Sequence, residues 1–337
     1  MRIGVDVMGG DNAPDAILDG AVASLDCLGP DDELVLVGDE TVINRRLAAC
    51  DCCPDRITVV HTTQVIHMDE SPVDAVRNKP DSSIAVLTRM AGRKADRPLD
   101  AVISAGNTGA KVTAAQMHMR RLPHVHRPGI SVVVPTFAGP VVIIDVGANI
   151  EPKPHHLAQY GVMGDVYAQK VLGIKSPRIA LMNVGGEEQK GTAHMKLARD
   201  LLRGASGVNF TGYIEGRAVF DGEADVVVTD GVVGNVMIKL AEGLSDGIFK
   251  AIAREVKQSD PELGVRLGPV VKKIYAEHDY HEYGGAPLLG VNGVCIISHG
   301  SSIGRTIANG IARAKQFVES GVNDAIVERL AAMEDAA

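Results

Sequence analysis

Six glycine-bearing turns hold most of the residues that could do chemistry. They are residues 8–11 (MGGD), 104–110 (SAGNTGA), 145–149 (DVGAN), 183–191 (NVGGEEQKG), 229–235 (TDGVVGN) and 298–302 (SHGSS). Each follows a short apolar run of strand composition. Their side chains supply amides and hydroxyls, at Asn107, Thr108, Asn149, Asn235, Ser301 and Ser302, around one cation, Lys190. Neutral donors with a single positive charge suit phosphate, or a carbonyl oxygen that gains charge during reaction. Gly9, Gly10, Gly109 and Gly234 let the backbone approach such a ligand closely. Each residue also has a plainer reading. Asn235 suits a helix cap, Lys190 an ordinary surface lysine, and Asp145 and Asp230 either caps or groups that orient donors.

The elements that must position these residues follow from apolar spacing. In 224–240 (ADVVVTDGVVGNVMIKL), a β-branched run leads through glycines into a helix marked by Met237, Leu240, Leu244, Ile248 and Ile252. Strand, glycine turn and helix together aim free N–H groups and the positive end of a helix dipole at one spot, where an anion fits. After Pro261, Leu267, Val270, Val271 and Ile274 mark a second helix. A helical hairpin at about 236–277 results, and its apolar stripe needs a partner. A twin hairpin from a second subunit is the plainest choice. The tip, 257–262 (KQSDPE), lacks the large apolar groups that a membrane surface takes up.

Strands and helices alternate along most of the chain. The fold class is therefore α/β, with a mainly parallel sheet flanked by helices. With no obvious linker, residues 1–330 read as one catalytic unit, two lobes around a cleft, and 331–337 as a frayed tail. Ligands in such sheets bind beyond the carboxyl ends of the strands.

Composition removes other classes. Trp is absent, aromatics are 3% and the net charge is −8, so a nucleic-acid surface is not expected. Met1 leads straight into a strand pattern without a signal peptide, and no apolar run can span a bilayer. Five Cys without a disulfide framework fit a reducing cytosol. Cys50, Cys52 and Cys53, and the pairs His124/His126 and His155/His156, lack zinc-site spacing, so no metal is expected. No G-x-G-x-x-G with a distant acid supports a dinucleotide site, and G-x-S-x-G is absent. Gly186 and Gly191 have P-loop spacing but are followed by Thr192 instead of Lys.

Taken in order, the six turns together with 283–290 (YGGAPLLG) resemble the phosphate acyltransferases of bacterial phospholipid synthesis, over about residues 1–327. The resemblance implies transfer of a fatty acyl group from acyl carrier protein to inorganic phosphate. The acyl phosphate product would feed a glycerol-3-phosphate acyltransferase. It further implies a fold like isocitrate/isopropylmalate dehydrogenases and phosphotransacetylases, a cytoplasmic homodimer without cofactor, and peripheral contact with the inner face of the membrane. Lys190 and Asn235 fall on the family's essential lysine and asparagine. The residue chemistry agrees, because phosphate is largely dianionic at neutral pH, with a second pKa of about 6 to 7, and needs no strong base. A metal- and NAD-dependent decarboxylating dehydrogenase of the same fold would need clustered aspartates, which the sequence does not show. A phosphate-binding regulator without turnover is the other alternative.

Overall fold

Continuous aliphatic and β-branched runs form strands here because helices cover both faces of the sheet. The computed structural model describes residues 1–50, 54–277 and 284–335. Its strands are β1 (Arg2–Asp6), β2 (Glu33–Gly38), β3 (Ile57–His61), β4 (Ala101–Ser104), β5 (Gly129–Thr136), β6 (Gly139–Ile144), β7 (Arg178–Met182), β8 (Asn209–Ile214), β9 (Val226–Val228), β10 (Ala286–Leu289) and β11 (Val294–Ile297). They join in one 11-stranded sheet, in the order β3-β2-β1-β4-β11-β10-β5-β6-β9-β7-β8.

Both wings of this sheet are parallel, β3 to β11 on one side and β6 to β8 on the other. The antiparallel pairings, β11–β10, β10–β5 and β5–β6, sit together at the centre. The expected class is the one that forms, with this reversal added. Its local cause is the hairpin between β5 and β6, where Phe137 and Ala138 alone make the connection. A two-residue link cannot carry a parallel crossover. Strand β10 was not expected: four residues with a proline, set inside a glycine motif, carry no period. Tyr283, which begins that motif, lies outside the described residues, as do Cys52 and Cys53.

The helices are α1 (Asp15–Ala23), α2 (Glu40–Ala48), α3 (Pro72–Asn78), α4 (Ser83–Met90), α5 (Thr108–Ala114), α6 (Pro154–Lys170), α7 (Ala193–Gly204), α8 (Gly231–Ser259), α9 (Pro261–Glu277), α10 (Gly304–Ser320) and α11 (Val322–Asp335). Helix α11 continues to Asp335, through most of the segment read as a frayed tail. It is anchored by Val322, Ile326 and Leu330, all buried.

At 29 residues, α8 is about 43 Å long. It forms the hairpin with α9, and the stripe expected from spacing is exposed in the single chain. Leu240, Leu244, Ile248 and Ile252 are 67, 60, 49 and 41% exposed. Among the described residues, no helix is long and apolar enough to cross a membrane.

The base of α8 is seated by two glycines. A Cβ at Gly234 would collide with the Asp145 carbonyl oxygen, and one at Gly231 with the backbone of Asn149. Their i, i+3 spacing puts both on the face that meets the 145–149 turn. Gly234→Ala should therefore destabilise the fold by about 1–3 kcal/mol through overpacking. Gly204→Ala, where nothing lies within 4 Å, should be neutral or stabilise by up to about 1 kcal/mol. Urea midpoints of the two variants decide this, and equal midpoints would show that the seat is loose.

Candidate active site

Asp145 follows β6 and is fully buried. Its Oδ1 accepts from the N–H groups of Ile130 (3.0 Å), Gly147 (3.1 Å) and Ala148 (3.0 Å), and its Oδ2 from the N–H of Asn149 (2.7 Å). Burial pushes the carboxyl above its usual range, while these hydrogen bonds act against that shift. Asp145 thus builds the turn. Asn149, expected to donate to a ligand, gives its side-chain amide to the Pro128 carbonyl (2.7 Å) and to Asp145 (3.1 Å).

The first N–H groups of α8 are also taken up. Gly231 donates to the Asn149 carbonyl (2.8 Å), Val232 and Val233 to Asp230 Oδ1 (both 2.9 Å), and Gly234 to the Asp230 carbonyl (3.0 Å). An anion at this helix terminus, expected from the strand–turn–helix layout, therefore meets no free donor there. Asp230, expected at the phosphate, is the N-cap and supplies the helix dipole with its own negative charge. Asn235 is consequently relieved of the capping role. Its position, one turn further on, faces a cavity.

This cavity has a volume of about 610 Å³ and lies over the sheet centre, floored by Ile130 and Val132 of β5, Ala286 of β10 and Ile297 of β11. Helix α8 runs along it with Val232, Asn235, Val236, Lys239 and Glu242. Opposite stand Thr108 and Gly109 at the start of α5, with Ser298, His299 and Gly300 beyond β11. Of the residues expected at the site, Thr108, Gly109 and Asn235 mark one common space, and Gly234 does not line it. The N–H groups of Thr108 and Gly109 have no acceptor within the chain among the described residues, so both are available donors.

Other expected residues hold the walls. Asn107 is buried; its Nδ2 donates to the carbonyls of His67, Met68 and Glu70 at 3.1–3.2 Å, and its Oδ1 caps α5 through Ala110 (3.0 Å). No donor remains on it for a ligand. Gly9 gives close approach to the backbone of Gly106, and Gly10, at φ +119°, turns the chain so that Asp11 N–H meets the Gly300 carbonyl (2.7 Å). Asp11, rather than either glycine, reaches the cavity. The Ser302 hydroxyl donates to the His299 carbonyl (2.6 Å), and the Ser301 hydroxyl lies 2.8 Å from His299 Nδ1. Because the Ser301 N–H also donates to Nδ1 (3.2 Å), a neutral His299 ring carries its proton on Nε2.

Lys190 does not line the cavity. Its Nζ pairs with Glu187 at 2.8 Å, with the lysine side chain 46% exposed. That hydrogen bond holds the Glu187 carboxyl below its usual range. The 183–191 turn nevertheless leaves the sheet beside α8, since β7 and β9 are paired in parallel with Leu181 opposite Val228. His126, His155 and His156 gather with ring centroids 4.3–6.2 Å apart. Among the described residues no group of three or more His, Cys, Asp or Glu is arranged to hold a metal ion.

Sequence reasoning missed Asp11, Lys239, Glu242, His299 and Lys111. Lys111 is 2% exposed, and its Nζ donates to the carbonyls of Ser104 (3.1 Å) and Ser298 (3.0 Å). It thus joins the two turns that carry Thr108 and His299. Burial lowers its pKa to about 8, opposed by Cys295 and Asp6. A signal existed: no other Lys, Arg, Asp or Glu occurs between Asp100 and Arg120.

A family model described as "Fatty acid synthesis protein" matches residues 1–325. A relative from Desulfitobacterium hafniense named "Phosphate acyltransferase" is 44% identical over 333 residues, 98% of this chain and 98% of the relative. The chain belongs to the phosphate acyltransferase family. As a member it is an acyltransferase of fatty acid and phospholipid synthesis. Among solved structures, a phosphotransacetylase from Streptococcus pyogenes aligns with a TM-score of 0.62 at 16% identity, covering 95% of this chain and 94% of that one. A 4-hydroxythreonine-4-phosphate dehydrogenase from Klebsiella pneumoniae gives 0.54 at 15%, covering 94% and 99%. These two likenesses concern the fold, which the family shares with dehydrogenases of this architecture.

The depressed pKa of Lys111 makes stability depend on pH. Between about 8 and the ordinary lysine value of about 10.4, the unfolded chain binds the proton that the folded chain has released. Stability therefore rises with pH across this window. Urea midpoints of wild type and Lys111→Met, compared at pH 7.5 and 9.5, should shift in favour of wild type at the higher pH. A constant difference would mean that Lys111 titrates as an ordinary lysine.

Proposed function

We propose that the chain transfers a fatty acyl group from acyl carrier protein to inorganic phosphate. A phosphate oxygen attacks the thioester carbonyl, the C–O bond forms, the C–S bond breaks, and the carrier leaves as a thiolate. The observation that carries this reading is Asn235: a side-chain amide on the wall of a largely apolar cavity, with the helix cap supplied by Asp230 instead. Its Nδ2, with the N–H groups of Thr108 and Gly109 across the cavity, suits the carbonyl oxygen as charge develops on it. The full-length identity to phosphate acyltransferases supports the same chemistry.

Lys190 takes the role of neutralising phosphate. Its pairing with Glu187 is exposed, and such pairs are worth about 0–1 kcal/mol, so an arriving dianion displaces the carboxylate at little cost. The partners on this reading are acyl carrier protein, inorganic phosphate and the glycerol-3-phosphate acyltransferase that consumes the product, with peripheral contact at the membrane where that product is used.

Purified protein incubated with acyl-acyl carrier protein should release carrier thiol in proportion to phosphate. Lys190→Ala should chiefly raise the KM for phosphate. Asn235→Asp keeps size but removes the donor and adds charge beside an anionic transition state, so kcat should fall about 10²–10³-fold in a folded protein. A folded Asn235→Asp enzyme with normal turnover would remove Asn235 from the reaction. Phosphate binding without thiol release in the wild type would leave a binding protein.

The exposed stripe of α8 and α9 supports a homodimer built on the hairpin, since a lone chain leaves Leu244 and Ile248 in water. Ile248→Asp should lower the mass in solution from dimer toward monomer, read by light scattering at micromolar concentration. A monomeric wild type would overturn the hairpin interface.

A further inference from the structure

Phosphate alone does not account for the cavity. Its volume of about 610 Å³ lies within the roughly 300–1,000 Å³ of sites for drug-sized ligands, and the phosphate ion fills little of it. Four large apolar side chains around it stand exposed: Met68 at 52%, Ile150 at 74%, Val232 at 47% and Val236 at 55%. They come from three separate segments, so they are not one helix face that happens to be apolar. Met68 is moreover set in a polar stretch, MDESPVD, and the Asn107 amide fixes its segment through three carbonyls. Exposed apolar groups that converge on a concavity mark a ligand site.

Resting on the acyl-transfer reading, we propose that Met68, Ile150, Val232 and Val236 form a collar that holds the alkyl chain of the acyl donor. The thioester then sits at Asn235, between Val232 and Val236 on α8. The collar sets a preference for long chains over short ones, because each further methylene it covers leaves water. A second copy of the chain is the other candidate occupant. A protein segment seated there would cover Asn235, whereas the dimer stripe begins further out, at Leu240.

The test compares Met68→Gln, Val232→Gln and Val233→Gln on sixteen-carbon and four-carbon acyl carrier protein. All three replace exposed side chains, and such changes rarely disturb folding. Val233 is the matched control, since it adjoins Val232 but does not line the cavity. Met68→Gln and Val232→Gln should each raise KM for the long donor about tenfold relative to the short one, and Val233→Gln should leave that ratio unchanged. An unchanged ratio in all three, or a loss of dimer mass in place of a changed ratio, would overturn the collar. Failure of the acyl-transfer reading looks different: wild type would release no thiol with either donor. The collar then stands on binding of a fluorescent long-chain fatty acid, weakened by the first two substitutions and not by the third, and falls if wild type does not bind it.

Discussion

Asp145 accepts four backbone N–H groups and one side-chain amide where its carboxylate is shut off from water. Each of those donors would cost about 1–3 kcal/mol if left unpaired in the same place, so the turn from 145 to 149 has few other shapes open to it. The shape it takes puts the carbonyls of Asp145 and Asn149 under Gly234 and Gly231. Helix α8 can come down on them only because those two residues lack a Cβ. From that contact the direction of α8 follows, and with it the placement of Asn235 on the cavity wall. A buried acid outside the cavity thus fixes the position of Asn235 on its wall.

Ionisable groups of both signs line the cavity. Lys239 and His299 lie on its wall with the carboxylates of Asp11 and Glu242, and burial pushes Glu242 up from its usual range against the pull of His299 and Lys239. The buried ammonium of Lys111 stands behind the 104–109 and 298–300 turns and holds their carbonyls, without reaching the space itself. On the proposed reading, phosphate held by neutral donors and the exchangeable Lys190 stays reactive. Tight ground-state binding would lower KM without raising turnover.

Much of this was legible in the sequence, for physical reasons. Glycines after apolar runs mark the turns because backbone must pass close to backbone there, and the i, i+4 stripe of α8 marks a long helix whatever covers it. What stayed hidden is which polar groups the fold itself consumes. The acceptors of the Asn107 amide lie up to 40 residues away, that of Asn149 lies 21 away, and one acceptor of Lys111 lies 187 away. No local pattern records such pairings. Hence Asn107 and Asn149 read as ligand groups, when their side chains tie one segment to another, and Asp230, Ser301 and Ser302 likewise, when theirs bond within their own turns. Asn235 and Lys190 stood among the turn residues on their chemistry alone, and were singled out as a catalytic pair through resemblance. The structure gives only Asn235 a place on the cavity.

The insertion of β10 and β11 between β4 and β5 orders events in time. A ribosome delivers β1 to β4 early and β5 to β9 next, but the strands that join these wings are among the last parts of the sheet to emerge. Until residues 286–297 are available, β4 and β5 each present an unpaired edge, the kind of surface on which neighbouring chains pair wrongly. Ala286 and Ile297 of that segment form part of the cavity floor, and His299 follows directly on its rim. Closure of the sheet and completion of the site are therefore one event, and a chain interrupted before it retains Asn235 and Thr108 without Ala286, Ile297 and His299.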